Sequence, residues 1–190
     1  MLNSDVMAWG SLVTCVTTYV GYQAGSLKAR VVADREYRDP ETGMLTRKGF
    51  EHRALKMLAK SCNYIVVMVD LNDLKKVNDE FGHAAGDMFI REQAGRISDW
   101  ARRKNGVAAR LGGDEFVVIV TGSADTTALK EDLNRPICWE GETRYWTASV
   151  GFSWISIGVL KSDRKNCLSK ALGKADQDMY KNKGEGRSRR

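Results

Sequence analysis

The chain has 190 residues, a formal net charge of +6, 43% hydrophobic and 28% charged residues, the make-up of a globular domain with a sizeable core plus an extension. The charge excess sits at residues 26–38 (Lys28, Arg30, Arg35 and Arg38 against Asp34 and Glu36) and at residues 181–190 (Lys181, Lys183, Arg187, Arg189 and Arg190 against Glu185). The near-neutral body argues against a long basic face that tracks nucleic acid; Cys15, Cys62, Cys138 and Cys167 form no CxxC and, with His52 and His83, no zinc set, so free thiols are expected.

Residues 6–27 carry no charge across 22 positions, long enough to cross a bilayer. No basic segment precedes them, so a secretory leader fits poorly, and the basic residues that follow would leave the C-terminal part in the cytoplasm. Gly21 and Gly25 form a GxxxG that lets membrane helices approach closely. The segment reads as an inner-membrane anchor, with a soluble self-association helix in a cytoplasmic protein as the alternative. Residues 1–38 then form an N-terminal helix and connector that stop at Asp39-Pro40, and residues 39–190 form a second domain with a basic tail.

Periodicity orders the second domain. Residues 46–61 space apolar positions helically, and 64–71, "YIVVMVDL", is a continuous apolar run that suits a buried central strand. A short helix follows at 72–82 and a long amphipathic one at 84–104. "GVAARL" and "EFVVIV" flank Gly112-Gly113-Asp114 as a β-hairpin. Residues 125–133 read as a short helix, 144–154 as a strand and 167–183 as a closing helix. The expected fold is α+β, with helices packed around a mainly antiparallel central sheet.

Two acidic groups come from different parts of this map. Asp70 ends one strand, while Asp114 and Glu115 open another. If the strands are neighbours, the carboxylates meet at one end of the sheet, where they repel each other unless a cation lies between them. An oxygen-only donor set suits Mg²⁺ or Mn²⁺, which takes phosphates as its other ligands. Gly112 and Gly113 would let a phosphate or base approach the backbone. Asn78 and Asp87 can together read a guanine edge, with Asn72 nearby, and Lys75, Lys183 and Arg187 are candidate phosphate partners. No P-loop is present. Singly, each signal has a plain structural reading: Gly-Gly-Asp as a turn, Asn78-Asp79 as a helix end, His83 as a cap, Lys183 and Arg187 as a solvated tail.

Together they resemble the GGDEF-domain diguanylate cyclases from about Asp39 to Arg187. "DPETGMLTRKGF" (39–50), "VDLNDLKKVNDEFGHAAGD" (69–87), "RLGGDEF" (110–116), "TASVGFS" (147–153) and "KADQDMYKNKGEGR" (174–187) follow the family's motif order. The resemblance implies a ferredoxin-like, palm-type sheet and the condensation of two GTP to cyclic di-GMP and two pyrophosphates. The reaction would be a two-metal displacement at the interface of a homodimer, with two Mg²⁺ or Mn²⁺ per site. It implies that Asp70, the Leu71 carbonyl and Asp114 hold metal and that Glu115 is the acidic partner at the metal or the attacking 3′-hydroxyl. Asn78 and Asp87 would read guanine, and Lys75, Lys183 and Arg187 would contact phosphates. Departures are Glu41 and Thr46 for the Leu and Asn of the opening motif, Asn72 for the second acid of DID, and Leu74 for the Phe after it. "RKNG" (103–106) stands where many members carry the inhibitory RxxD, so product inhibition is expected to be weak or absent. With no degrading domain after the signature, synthesis is the expected activity. A domain that binds GTP or cyclic di-GMP without turnover is the alternative, and no nucleic-acid partner is expected.

Overall fold

The run Tyr64–Leu71 forms β1, and all eight of its residues are buried. Such a run suits only a central strand covered on both faces, and that is its position. The sheet is antiparallel, in the order β2 (Val107–Gly112), β3 (Glu115–Thr121), β1, β6 (Ala148–Ile155). The computed structural model describes residues 37–60, 62–122 and 126–188, with side chains to residue 183. In chain order the elements are α1 (Arg47–Met57), β1, α2 (Leu74–Phe81), α3 (His83–Arg103), β2 (Val107–Gly112) and β3 (Glu115–Thr121). Then come α4 (Thr126–Leu133), β4 (Ile137–Trp139), β5 (Glu142–Arg144), β6 (Ala148–Ile155) and α5 (Arg164–Ser188). All of them lie in one compact unit that begins at Arg38. The candidate anchor at 6–27 and most of its connector fall outside the described residues. Among the described residues no helix is long and apolar enough to cross a membrane.

Strand periodicity sorts the core. Ile65, Val67, Val69 and Leu71 pack with Phe116, Val118 and Val120 against Phe89, Ile97 and Trp100 of α3. Each such side chain contributes about 1.5–3 kcal/mol on full burial. The alternate residues, among them Met68, Asp70, Glu115 and Gly151, share the opposite face, where α5 lies on β1 and β6. At Gly151 the backbones nearly touch: a Cβ there would stand 2.0 Å from Met179 N and 2.3 Å from the Ala175 carbonyl oxygen. Three hydrogen bonds fix α5 in place. The Phe152 N–H donates to Asp178 Oδ2 at 3.0 Å, Asn182 Nδ2 to the Val150 carbonyl at 2.8 Å, and Ser153 Oγ to the Ala171 carbonyl at 2.7 Å. The first two also occupy backbone groups on the free edge of β6.

The expected strand at 144–154 is corrected in two ways. Its first residue, Arg144, ends a separate two-stranded ribbon, β4–β5, whose turn residues Glu140 and Gly141 have φ of +51° and +80°, the signature of a type I′ hairpin. β6 itself begins only at Ala148, because Trp146 is drawn away to pack on Phe81 and Phe89, with ring centroids 5.8 and 5.4 Å distant. The first helix is also shorter than 46–61. Thr46 is its N-cap, accepting from the Gly49 N–H, and Met57 is its last residue. The closing helix starts earlier than expected, at Arg164.

Candidate active site

β1 and β3 are neighbours, with Asp70 directly opposite Glu115 in the register. The condition for the two acidic groups to meet is therefore satisfied. Gly113 and Asp114 form the turn between β2 and β3, and the ladder shifts register between Arg110 and Gly112. Gly113 has φ +54°, a left-handed backbone that other residues rarely adopt. The Leu71 N–H donates to the Asp114 carbonyl at 3.0 Å and anchors the turn to the end of β1. Asp70 is 9% exposed, and Lys183 Nζ reaches its Oδ1 at 2.5 Å from α5. Glu115 lines a cavity of about 270 Å³ with Arg47, Phe50, Met68 and Asp176. Gly112 and Gly113 line another of about 510 Å³ with Arg47, Lys48 and Arg110.

The candidate base readers Asn78 and Asp87 lie on consecutive helices, α2 and α3. α2 ends at Gly82, where φ is +82°, and α3 folds back along it. A Cβ on Gly86 would stand 1.9 Å from Asn78 Oδ1. Only glycine lets the Asn78 side chain lie there, one residue before the exposed Asp87. Lys75 is exposed on α2. Arg187 lies within α5, and its side chain is outside the described set. Asn72 is satisfied at both ends: its Nδ2 donates to Thr147 Oγ1 at 3.0 Å, and Ser149 Oγ donates to its Oδ1 at 2.7 Å. It thus ties the end of β1 to β6.

Among the described residues no three acidic, imidazole or thiolate groups stand close enough to hold a metal ion by themselves. The Lys183 ammonium pairs with Asp70 Oδ1. The donors are hard oxygens, which fit Mg²⁺ or Mn²⁺ completed by phosphate and water.

A second set of polar groups was not foreseen. Arg110, just before the glycines, directs Nε and Nη2 at the Gly113 carbonyl, at 3.0 and 2.8 Å. Its Nη1 meets Asp39 Oδ1 at 3.3 Å and also Glu41 Oε2. Burial alone would raise the Asp39 carboxyl. The Thr42 hydroxyl, the Thr42 N–H and Arg110 outweigh it and hold the group below its ordinary 3.8. Burial likewise disfavours charge on Arg110, yet Glu41 and Asp39 raise it above its ordinary value. The available signal was an arginine abutting a Gly-Gly turn, but its acidic partners lie 71 and 69 positions away.

Fold and register together define an α+β domain in which Asp70 and Glu115 lie opposite each other on neighbouring strands and Asp114 lies on the adjoining glycine hairpin. The chain belongs to the GGDEF-domain diguanylate cyclase family, whose model matches residues 36–189. It is 39% identical over 165 residues, covering 86% of each chain, to an uncharacterized 19.3 kDa protein of Streptomyces ambofaciens. It is 30% identical over 168 residues to the diguanylate cyclase DgcZ of Escherichia coli K12, covering 85% of this chain and 55% of that one. It therefore spans about half the length of that relative. A crystal structure of a sensory box/GGDEF family protein from Caulobacter crescentus superposes with a TM-score of 0.64 at 29% identity, covering 78% of this chain and 99% of that one.

Proposed function

We propose that the chain is an active diguanylate cyclase, joining two GTP into cyclic di-GMP with release of two pyrophosphates. The observation that carries this reading is the juxtaposition of Asp70 and Glu115 across β1 and β3, with Asp114 on the adjoining Gly112-Gly113 turn. Asp70, the Leu71 carbonyl and Asp114 would hold Mg²⁺ or Mn²⁺, two ions per site. When bound, the metal lowers the pKa of the attacking 3′-hydroxyl and neutralises charge on the leaving pyrophosphate. Glu115 would be the acidic partner at the metal or at the attacking 3′-hydroxyl. Asn78 and Asp87 orient guanine. Lys75, Lys183 and Arg187 contact phosphates, with Lys183 leaving Asp70 to do so. In each half-reaction a 3′-hydroxyl gives up its proton to Glu115 or solvent as its oxygen bonds to an α-phosphorus, the bond to the bridging oxygen breaks, and pyrophosphate departs. One subunit holds one such site, so the second GTP is carried by another copy facing it. The specific activity of the full chain with GTP and Mg²⁺ is therefore expected to fall on dilution, following dimer dissociation. A rate per subunit that stays constant from micromolar concentration down to the detection limit would refute the dimeric site.

The same reading includes weak or absent product inhibition. Asn105 closes α3 at φ +51°, with the Gly106 N–H bonded to the Ala101 carbonyl at 2.8 Å and the Asn105 N–H to the Arg102 carbonyl at 3.2 Å, a Schellman arrangement. A Cβ on Gly106 would stand 2.5 Å from the Ile119 carbonyl oxygen and from Val120 Cγ1. Arg103 is paired with Asp132 at 3.0 Å. Gly106→Asp is expected to lower stability by about 1–3 kcal/mol through overpacking without installing inhibition. Thermal unfolding and a cyclic di-GMP titration check both parts, and an inhibited, stable variant would contradict them.

A further inference from the structure

Glu41 stands where the family's opening motif has an apolar residue, and its chemistry is poorly explained by stability. Arg110 is 9% exposed, so its charge needs a partner, but Asp39 already supplies one. Glu41 adds a second carboxylate to a single guanidinium, and its Oε1 has no hydrogen-bond partner and is shielded from solvent. A surplus acid with an orphaned oxygen is a net cost where an apolar side chain would be free of it. What Glu41 does supply is direction. A guanidinium is a rigid planar fork, so fixing Nη1 fixes the edge bearing Nε and Nη2, both aimed at the Gly113 carbonyl. The Asp39 contact on the same nitrogen is long, at 3.3 Å. Gly113 has no side chain with which to hold itself, and the next residue is Asp114.

We infer that Glu41 is a positioning residue for the signature turn: it orients Arg110, which sets the Gly113 carbonyl and thereby the carboxylate of Asp114. The inference rests on the cyclase reading only for its effect on product. The test compares full-length wild type with Glu41→Leu and Glu41→Gln by hydrogen exchange, thermal unfolding and cyclic di-GMP formation. In Glu41→Leu the amides of residues 112–115 exchange roughly fivefold faster or more through local opening, while Tm holds or rises. Its kcat/KM falls about tenfold for misplaced catalytic groups. Glu41→Gln retains an acceptor for Nη1 and recovers most of the protection and activity. Two results overturn the inference. One is unchanged exchange at 112–115 in Glu41→Leu. The other is a fall in Tm with exchange rising throughout the domain, which would make Glu41 a general strut. If wild type makes no product, the exchange data still decide the role of Glu41, and the failure belongs to the cyclase reading alone.

Discussion

Asp114→Ala is expected to lower cyclic di-GMP formation by about 10³-fold or more, the scale of losing a principal electrostatic group at a reacting centre. The substitution leaves the fold intact. Asp114 sits on a turn, only partly buried, and the group it gives to the structure is its backbone carbonyl, accepting from the Leu71 N–H, which alanine retains. Stability should therefore change by no more than about 0.5 kcal/mol. Chromatographic product analysis alongside thermal unfolding separates the two effects. A variant that keeps more than a tenth of the wild-type rate would remove Asp114 from the reaction, and one that unfolds would make it structural.

Gly151→Ala should act in the opposite sense, through structure first. The added methyl would stand 2.0 Å from Met179 N and 2.3 Å from the Ala175 carbonyl oxygen, whereas ordinary carbon contacts lie near 3.5–4.0 Å. Both obstacles are helix backbone, so α5 must move as a body. The bonds from Phe152 N–H to Asp178 and from Asn182 to the Val150 carbonyl go with it, as does the reach of Lys183 to Asp70. The expected loss is about 3 kcal/mol, the upper end for overpacking a filled interior, together with most of the activity. Urea unfolding measures the first, and a stability within about 0.5 kcal/mol of wild type would show that α5 is not held as described.

Features that depend on near neighbours in sequence were legible. The apolar run 64–71 is β1 to the residue, since a strand buried on both faces has nothing to interrupt it, and the β2–β3 turn falls on Gly113 and Asp114 of the Gly-Gly-Asp. The small β4–β5 ribbon was missed because its strands have three residues each, too short for periodicity, although Glu140-Gly141 was a usable turn signal. Asp70 and Lys183 were both singled out, but for different partners. Their pairing spans 113 positions and depends on Gly151 letting α5 settle on β6. The Arg110 clamp is similar: its three elements meet only after Leu45 bridges to Ala109 beside β2.

Asp70, Asp114 and Glu115 are proposed to make a phosphodiester from GTP. The most direct measurement is mass-spectrometric identification of what the full-length chain forms from GTP and Mg²⁺, with ATP in a parallel reaction. Cyclic di-GMP and pyrophosphate in a ratio of one to two are expected from GTP, and no cyclic dinucleotide from ATP. GTP that binds and is recovered unchanged at dimer-forming concentration would contradict it, leaving a nucleotide-binding domain with the signature but not the reaction.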